Sequence, residues 1–220
     1  MKEIIIFGVG QLAEVADFYF KHDTDRRVAA FTVDAAYAQE TAFAGRPVLA
    51  FEEVAATHPP ERYDLFVAVS YAQLNQVRAR KMAEAEAKGY RLASYVSSKA
   101  TVWPGLSVGK NAFILEDNTI QPFVRIGDGV TLWSGNHIGH HASIGDYCFI
   151  TSQVVVSGGV RIEDSCFVGV NATIRDHVAV GPRSIIGAGA LILQDAPAES
   201  VYPSTGTERS KVPSSRVRRI

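Results

Sequence analysis

Ile126-Gly127-Asp128-Gly129-Val130-Thr131-Leu132-Trp133-Ser134-Gly135-Asn136-His137-Ile138-Gly139-His140-His141-Ala142-Ser143-Ile144 carries an aliphatic residue at every sixth position, and the spacing runs without a slip from Val102 to Ile192. Such a period suits neither the turn of an α-helix nor the alternation of an ordinary strand. It is the period of a hexapeptide β-helix, in which each hexad forms a short strand and a corner, and three hexads close one triangular coil. The aliphatic position i and the mostly small position i−2 (Ala112, Ala142, Cys148, Cys166, Ala172, Ser184, Ala190) are expected to face inward together, because side chains two apart in a strand share a face. Glycine follows the aliphatic residue at Gly109, Gly127, Gly139, Gly145, Gly169, Gly181 and Gly187, where a corner calls for positive φ or a close backbone approach. Cys148 and Cys166 lie one coil apart and are expected to stack inside as reduced packing residues.

The 220 residues, 47% hydrophobic, allow one large or two modest domains with real cores. Charge is balanced at 22 basic against 23 acidic residues, which gives no basis for nucleic acid or an anionic membrane as partner. Residues 1–7 are too short for a signal segment and no long uncharged apolar run follows, so a cytoplasmic location is expected. Residues 1–95 read as alternating strand and helix: a strand over 2–7, a helix over 11–20, a strand over 28–33, a short helix from Phe51, a strand over 64–70, a helix over 74–88 and a last strand over 91–95. The fold class is therefore an α/β Rossmann-like half domain (1–95), followed by an all-β left-handed parallel β-helix (96–195) and a C-terminal tail (196–220).

Gly8-x-Gly10-x-x-Ala13 lies between the first strand and the first helix, the context in which helix N-terminal amides hold a diphosphate. The alternative is a tight turn that holds no ligand. Asp34 falls near the place where an acidic residue meets a ribose or base. The second half-sheet that would hold a nicotinamide is missing, so a nucleotide diphosphate attached to something else fits better. Gln11, Asp34, Tyr71, Asn75 and Arg78 stand at strand ends or helix starts and are candidates to line the nucleotide crevice, against plain turn or surface roles.

Residues eighteen apart lie one above another, separated by about 4.8 Å. His140 therefore stacks between Pro122 and Gly158, with Asp176 beyond, and His141 between Phe123 and Gly159, with His177 beyond. Two adjacent histidines overlain by two glycines place a base beside an unobstructed amide. This is what acyl transfer needs: one group takes the nucleophile's proton and the other stabilises the oxyanion. Imidazole suits the first task because its ordinary pKa lies near neutrality. His137 faces outward on its strand, towards substrate, a neighbouring subunit or solvent, and His22, His58 and His177 read as surface residues.

The chain resembles the bacterial sugar acyltransferases that include sialic-acid O-acetyltransferase and the nucleotide-sugar N-acetyltransferases of surface-glycan biosynthesis. The resemblance rests on Gly8-Val9-Gly10, on Val96-Ser97-Ser98-Lys99-Ala100, on residues 138–146 and on residues 186–197. It implies a homotrimer, acetyl-CoA between neighbouring β-helices, a nucleotide-sugar held by the N-terminal domain, and no metal. It also implies His140 as general base, the Gly158 amide as oxyanion donor, acetyl-CoA against Gly158, Gly159, Gly187 and Ala188, and substrate against Gly8, Gly10, Gln11, Asp34, Tyr71, Asn75, Arg78, His137 and His141. Two departures stand out. The acidic residue usual after the catalytic histidine is replaced by His141, leaving Asp146 or Glu116 to serve, or less basicity to suffice. The family's Gly-x-Pro-Ala-Lys ending is replaced by Tyr202-Pro203-Ser204-Thr205-Gly206, with Arg209, Lys211, Arg216, Arg218 and Arg219 in the tail to meet CoA phosphates or solvent. The function expected is N-acetylation of a nucleotide-linked deoxyamino sugar. The alternatives are O-acetylation of a sugar hydroxyl, a zinc lyase of the carbonic-anhydrase type using His141 and His177 across an interface, and a non-enzymatic trimerising scaffold.

Overall fold

The computed structural model describes residues 2–216. The N-terminal part is built on β1 (Glu3–Phe7), α1 (Gln11–Asp23), β2 (Val28–Val33), β3 (Ala42–Phe43), β4 (Arg46–Ala50), α2 (Val54–Thr57), β5 (Tyr63–Val67) and α3 (Gln76–Ala87). The sheet order is β3-β4-β2-β1-β5, parallel except for the β3–β4 pair. The central β1 is apolar throughout its buried part, Ile4-Ile5-Ile6-Phe7, as a parallel strand covered on both faces should be. Two expectations fail. β4 was hidden behind the Gly45-Arg46-Pro47 turn, because proline near a strand start is tolerated where it removes no needed donor. The expected last strand over 91–95 does not form: Leu92 makes only a bridge to Leu65, and Tyr95–Val96 pairs instead with Phe113–Ile114 of the β-helix.

The hexads form a left-handed parallel β-helix of two-residue strands. On face one, Thr101–Val102, Thr119–Ile120, His137–Ile138, Val155–Val156, Thr173–Ile174 and Leu191–Ile192 pair in unbroken register. Face two runs through Ser107–Val108, Arg125–Ile126, Ser143–Ile144, Arg161–Ile162 and Ala179–Val180. Face three runs from Tyr95–Val96 through Phe113–Ile114, Thr131–Leu132, Phe149–Ile150, Phe167–Val168 and Ile185–Ile186 to Val201–Tyr202. The aliphatic column forms one continuous core from Ile114 to Ile192, and each such side chain contributes about 1.5–3 kcal/mol over its exposed state. The first coil departs from the expectation, since Val102 is 41% exposed with no coil beneath it. Cys148 and Cys166 stack in the core as free thiols.

The glycines after the aliphatic residues do not supply positive φ. That conformation falls two residues later, at Asn111, Asp117, Phe123, Gly129, Gly135, His141, Tyr147, Gln153, Gly159, Ser165, Asn171, His177, Arg183 and Gly189. The earlier glycines are required by close approach: a Cβ on Gly139 would lie 2.6 Å from the Gly158 nitrogen, and one on Gly169 would lie 2.5 Å from the Ala188 nitrogen.

The α/β part docks on face three. Position i−1, outward elsewhere, is there Tyr95, Phe113, Thr131 and Phe149, all buried. Tyr95 and Phe113 pack with Ile4, Ile6, Ala16, Phe20 and Phe66 in one cluster. Asp23 at the end of α1 accepts from Tyr95 Oη, from the Ser98 amide and from Ser98 Oγ, and these bonds hold its carboxyl down to about 2. At the other side of the dock Asn75 and Arg78 are buried, which overturns their expected place in a ligand crevice. Asn75 caps α3 at φ 68° and donates to the Cys166 carbonyl. Arg78 donates to the carbonyls of Gly129, Val69, Ser70, Tyr147 and Cys148 and to Asn75 Oδ1. Burial pushes its pKa down to about 10, so it stays charged at neutral pH. Helix-start polar residues look alike in sequence whether they meet a ligand or buried carbonyls; here the carbonyls of the β-helix corners claim both.

Candidate active site

The corner after face one carries His140 and His141. A Cβ on Gly158 would lie 2.8 Å from both Cε1 and Nε2 of His140, so that edge of the ring rests directly on the glycine. Equivalent amides at the next corner are satisfied from the coil above: Lys110 N–H by Asp128, Asp128 N–H by Asp146, and Asp146 N–H by Asp164. The Gly158 N–H has no such acceptor among the described residues. His140 is exposed, its backbone N–H donates to Gln121 Oε1, and its Nδ1 lies 3.1 Å from His141 Nδ1. His141 sits at φ 60° with its ring against Phe123. One expectation shifts: Gly159 is covered by His177, whose Nδ1 would lie 2.4 Å from a Cβ there, so His177 belongs to this cluster.

Neither carboxylate suggested for His140 forms a hydrogen bond with it among the described residues. Asp146 accepts from the Asp128 amide. Glu116 accepts from Tyr19 Oη and Ser134 Oγ. Burial opposes its ionisation, but these two bonds outweigh burial and hold its carboxyl below the usual range. Burial, with Glu116 beside it, pushes the Tyr19 hydroxyl up to about 12.

A cavity of about 980 Å³ opens on the corner after face three, between the start of α1 and the β-helix. Gly10, Gln11, Leu12, Glu14, Val15 and Phe18 line it from α1, Ala68, Ser70 and Tyr71 from the segment after β5, and Trp133, Phe149, Thr151, Ser152 and Val170 from the coils. Gly10 has open space where a Cβ would be and caps the helix without a side chain, so the first amides of α1 face a ligand-sized space. Tyr71 is held edge-on to Phe149 and Phe167. The structure thus brings together Gly10, Gln11 and Tyr71. Gly8 is needed instead for strand contact, since its Cβ would lie 2.9 Å from the Ala68 carbonyl. Asp34 is bound to Lys81 at 2.7 Å away from this cavity. Phe18, Trp133, Thr151, Ser152 and Val170 were missed, although the eighteen-residue column places Thr151 over Trp133 and Val170 over Ser152.

His137 lies half-buried on face one, between the cavity corner and the His140 corner. Gly187 and Ala188 lie on the cavity corner, where Gly187 is closely overlain by Ser204. Arg209, Lys211 and Arg216 are exposed, while Arg218 and Arg219 lie outside the described residues. Among the described residues no group of three His, Cys, Asp or Glu side chains is poised to hold a metal ion, and no helix is long and apolar enough to cross a membrane.

The contact of His140 with Gly158 supports a direct prediction. Gly158→Ala must drive a methyl into the imidazole, and a displacement near 1 Å costs on the order of 100-fold in rate. Steady-state kinetics should show that loss with an unchanged melting temperature.

Residues 123–158 and 159–194 match the family described as bacterial transferase hexapeptide (six repeats). A search of curated proteins gives no match. Among solved structures, PerB from Caulobacter crescentus, in complex with CoA and GDP-perosamine, is 24% identical with a TM-score of 0.82, covering 93% of this chain and 95% of its own. The acetyltransferase domain of PglB from Neisseria gonorrhoeae is 22% identical with a TM-score of 0.81, covering 93% and 97%. WeeI from Acinetobacter baumannii is 17% identical with a TM-score of 0.62, covering 91% and 96%. The likeness extends over both parts of the chain and establishes the fold.

Proposed function

We propose that this chain is an acetyl-CoA-dependent N-acetyltransferase acting on the amino group of a nucleotide-linked deoxyamino sugar, in the cytoplasmic assembly of a surface glycan. The observation that carries the reading is the Nε2 edge of His140 lying on Gly158, whose N–H has no acceptor among the described residues. Support comes from PerB, which holds CoA and GDP-perosamine, and from the PglB domain, which has also been crystallised with acetyl coenzyme A. Residues 1–95 would bind the nucleotide and residues 96–195 carry the chemistry, with Val201–Tyr202 adding a last strand to the β-helix before the tail.

The neutral amine attacks the thioester carbonyl, forming the N–C bond. The carbonyl oxygen becomes an oxyanion facing the Gly158 N–H. His140 Nε2 takes the proton released by the amine nitrogen, the C–S bond breaks, and the same proton passes to the departing CoA thiolate. The diphosphate rests on the first amides of α1 at Gly10 and Gln11, with Phe18, Tyr71 and Trp133 as apolar walls of the acceptor cavity.

The cavity and His140 occupy successive corners, with face one between them. A homotrimer that seats one copy's cavity corner against the next copy's His140 completes the site and brings CoA into the groove between β-helices. An amine rather than a hydroxyl acceptor is favoured because the neighbour of His140 is an imidazole, not a carboxylate, and a hydroxyl demands the stronger base. The test measures CoA release with acetyl-CoA and dTDP-, UDP- and GDP-linked 4-amino sugars beside their 4-hydroxyl counterparts. Turnover with one amino sugar and none with the hydroxyl compounds is expected. Hydroxyl-only turnover would replace the reading with O-acetylation, and no turnover with any acceptor would remove it.

A further inference from the structure

The Nδ1 atoms of His140 and His141 lie 3.1 Å apart with the rings nearly perpendicular, at 85°. Two neutral imidazoles can share such a contact in one way only: one Nδ1 carries the proton and the other presents its lone pair. The proposed reaction decides which, because a His140 Nε2 that takes a proton must be bare and its own proton then sits on Nδ1. The Nε2 and Cε1 edge of His140 faces Gly158, the side open to a ligand, while Nδ1 is turned towards His141. We infer that His141 is a positioning residue that accepts the His140 Nδ1–H through its own Nδ1, fixing His140 with Nε2 unprotonated. The inference deepens the proposed function and rests on it for the direction of the hydrogen bond and for its kinetic consequence.

The surroundings of the pair are consistent with this role. The coil below contributes the uncharged Gln121, Pro122 and Phe123, with Gln121 holding the His140 amide and Phe123 tilted against the His141 ring at 4.7 Å. The coil above contributes Gly158 and Gly159, with His177 folded onto the latter. The remaining titratable groups on neighbouring elements are His137, Arg175 and Asp176, and Arg125 and Arg161 on the strands flanking Ser143. None of them forms a hydrogen bond or ion pair with either ring among the described residues. An imidazole accepts through Nδ1 only in its neutral form. A proton on His141 Nδ1 would set two donors against each other and release His140.

The experiment uses the full chain with acetyl-CoA and its amino-sugar acceptor, and compares wild type with His141→Asn and His141→Phe. Phe123 already occupies the equivalent left-handed position on this corner, and Tyr147 does so on the next one, so the phenylalanine fits. For His141→Phe, kcat is expected to fall roughly 10- to 100-fold with KM for acetyl-CoA unchanged. His141→Asn, which keeps an acceptor, should stay within about threefold of wild type. The acid limb of the wild-type pH profile should be steeper than that of His141→Phe, because two imidazoles must be neutral rather than one. Nitrogen-15 spectra read the tautomer without any turnover: His140 should carry its proton on Nδ1 in wild type and His141→Asn, and lose that preference in His141→Phe. An unchanged tautomer and an unchanged pH profile in His141→Phe would overturn the inference. Absent turnover with the expected tautomer would overturn only the proposed reaction.

Discussion

Arg78→Met is expected to leave little folded protein at 37 °C. The guanidinium is 1% exposed and donates to five carbonyls and one amide oxygen, with the Phe149 ring 5.6 Å away. These acceptors belong to the segment between β5 and the start of α3 and to two successive coils of the β-helix, so one side chain joins its own part of the chain to coils some fifty to seventy residues away. Methionine keeps much of the volume and none of the donors. Each buried carbonyl left unpaired costs about 1–3 kcal/mol, while a whole domain is stable by only about 5–15 kcal/mol. A loss of at least about 4 kcal/mol is expected in denaturant titration, where water entry into the dock limits the damage. Arg78→Lys, which keeps the charge but offers a single donor atom, should fall between the two. Wild-type stability in Arg78→Met would show that the dock is held by its apolar contacts alone.

His140→Ala is expected to lower kcat for acetyl transfer by about 100- to 10,000-fold, the range a positioned general base supplies, with little change in KM. The side chain is exposed and makes no contact that supports the core, so the melting temperature should not move. The variant also vacates the space against Gly158, which separates it from Gly158→Ala: one removes the base, the other displaces it. A wild-type rate in His140→Ala would assign proton removal to another group, and His177 over Gly159 would then be the first to examine.

Much of this arrangement was legible in the spacing. A hexad register with no insertion fixes which residues lie one above another, and it placed Gly158 over His140 before any coordinates. It also predicted the strands from Val102 to Ile192 on all three faces, but not Tyr95–Val96 and Val201–Tyr202, which extend face three at its two ends. The same arithmetic applied to position i−1 would have exposed the docking face, because Tyr95, Phe113, Phe149 and Phe167 form an aromatic column where other faces carry Thr119, His137, Ser143 and Arg161. For the glycines after the aliphatic residues the second of two open readings holds: positive φ and close approach leave the same residue in the sequence, and only the backbone distances and φ separate Gly139 from Gly159. Asn75 and Arg78 were misassigned because the carbonyls they satisfy come from corners some fifty to ninety residues away. Asp34 was placed by analogy with longer nucleotide-binding sheets, and here Lys81 of α3 binds it instead.

A crystal structure with CoA and an amino-sugar nucleotide bound together puts the whole account at risk. The account predicts the sugar amine within about 2.6–3.2 Å of a His140 Nε2, the CoA sulfur beside Gly158 of the same corner, and the diphosphate on the amides of Gly10 and Gln11. A sugar amine out of reach of every His140 in the assembly, or a CoA chain ending away from Gly158, would contradict it.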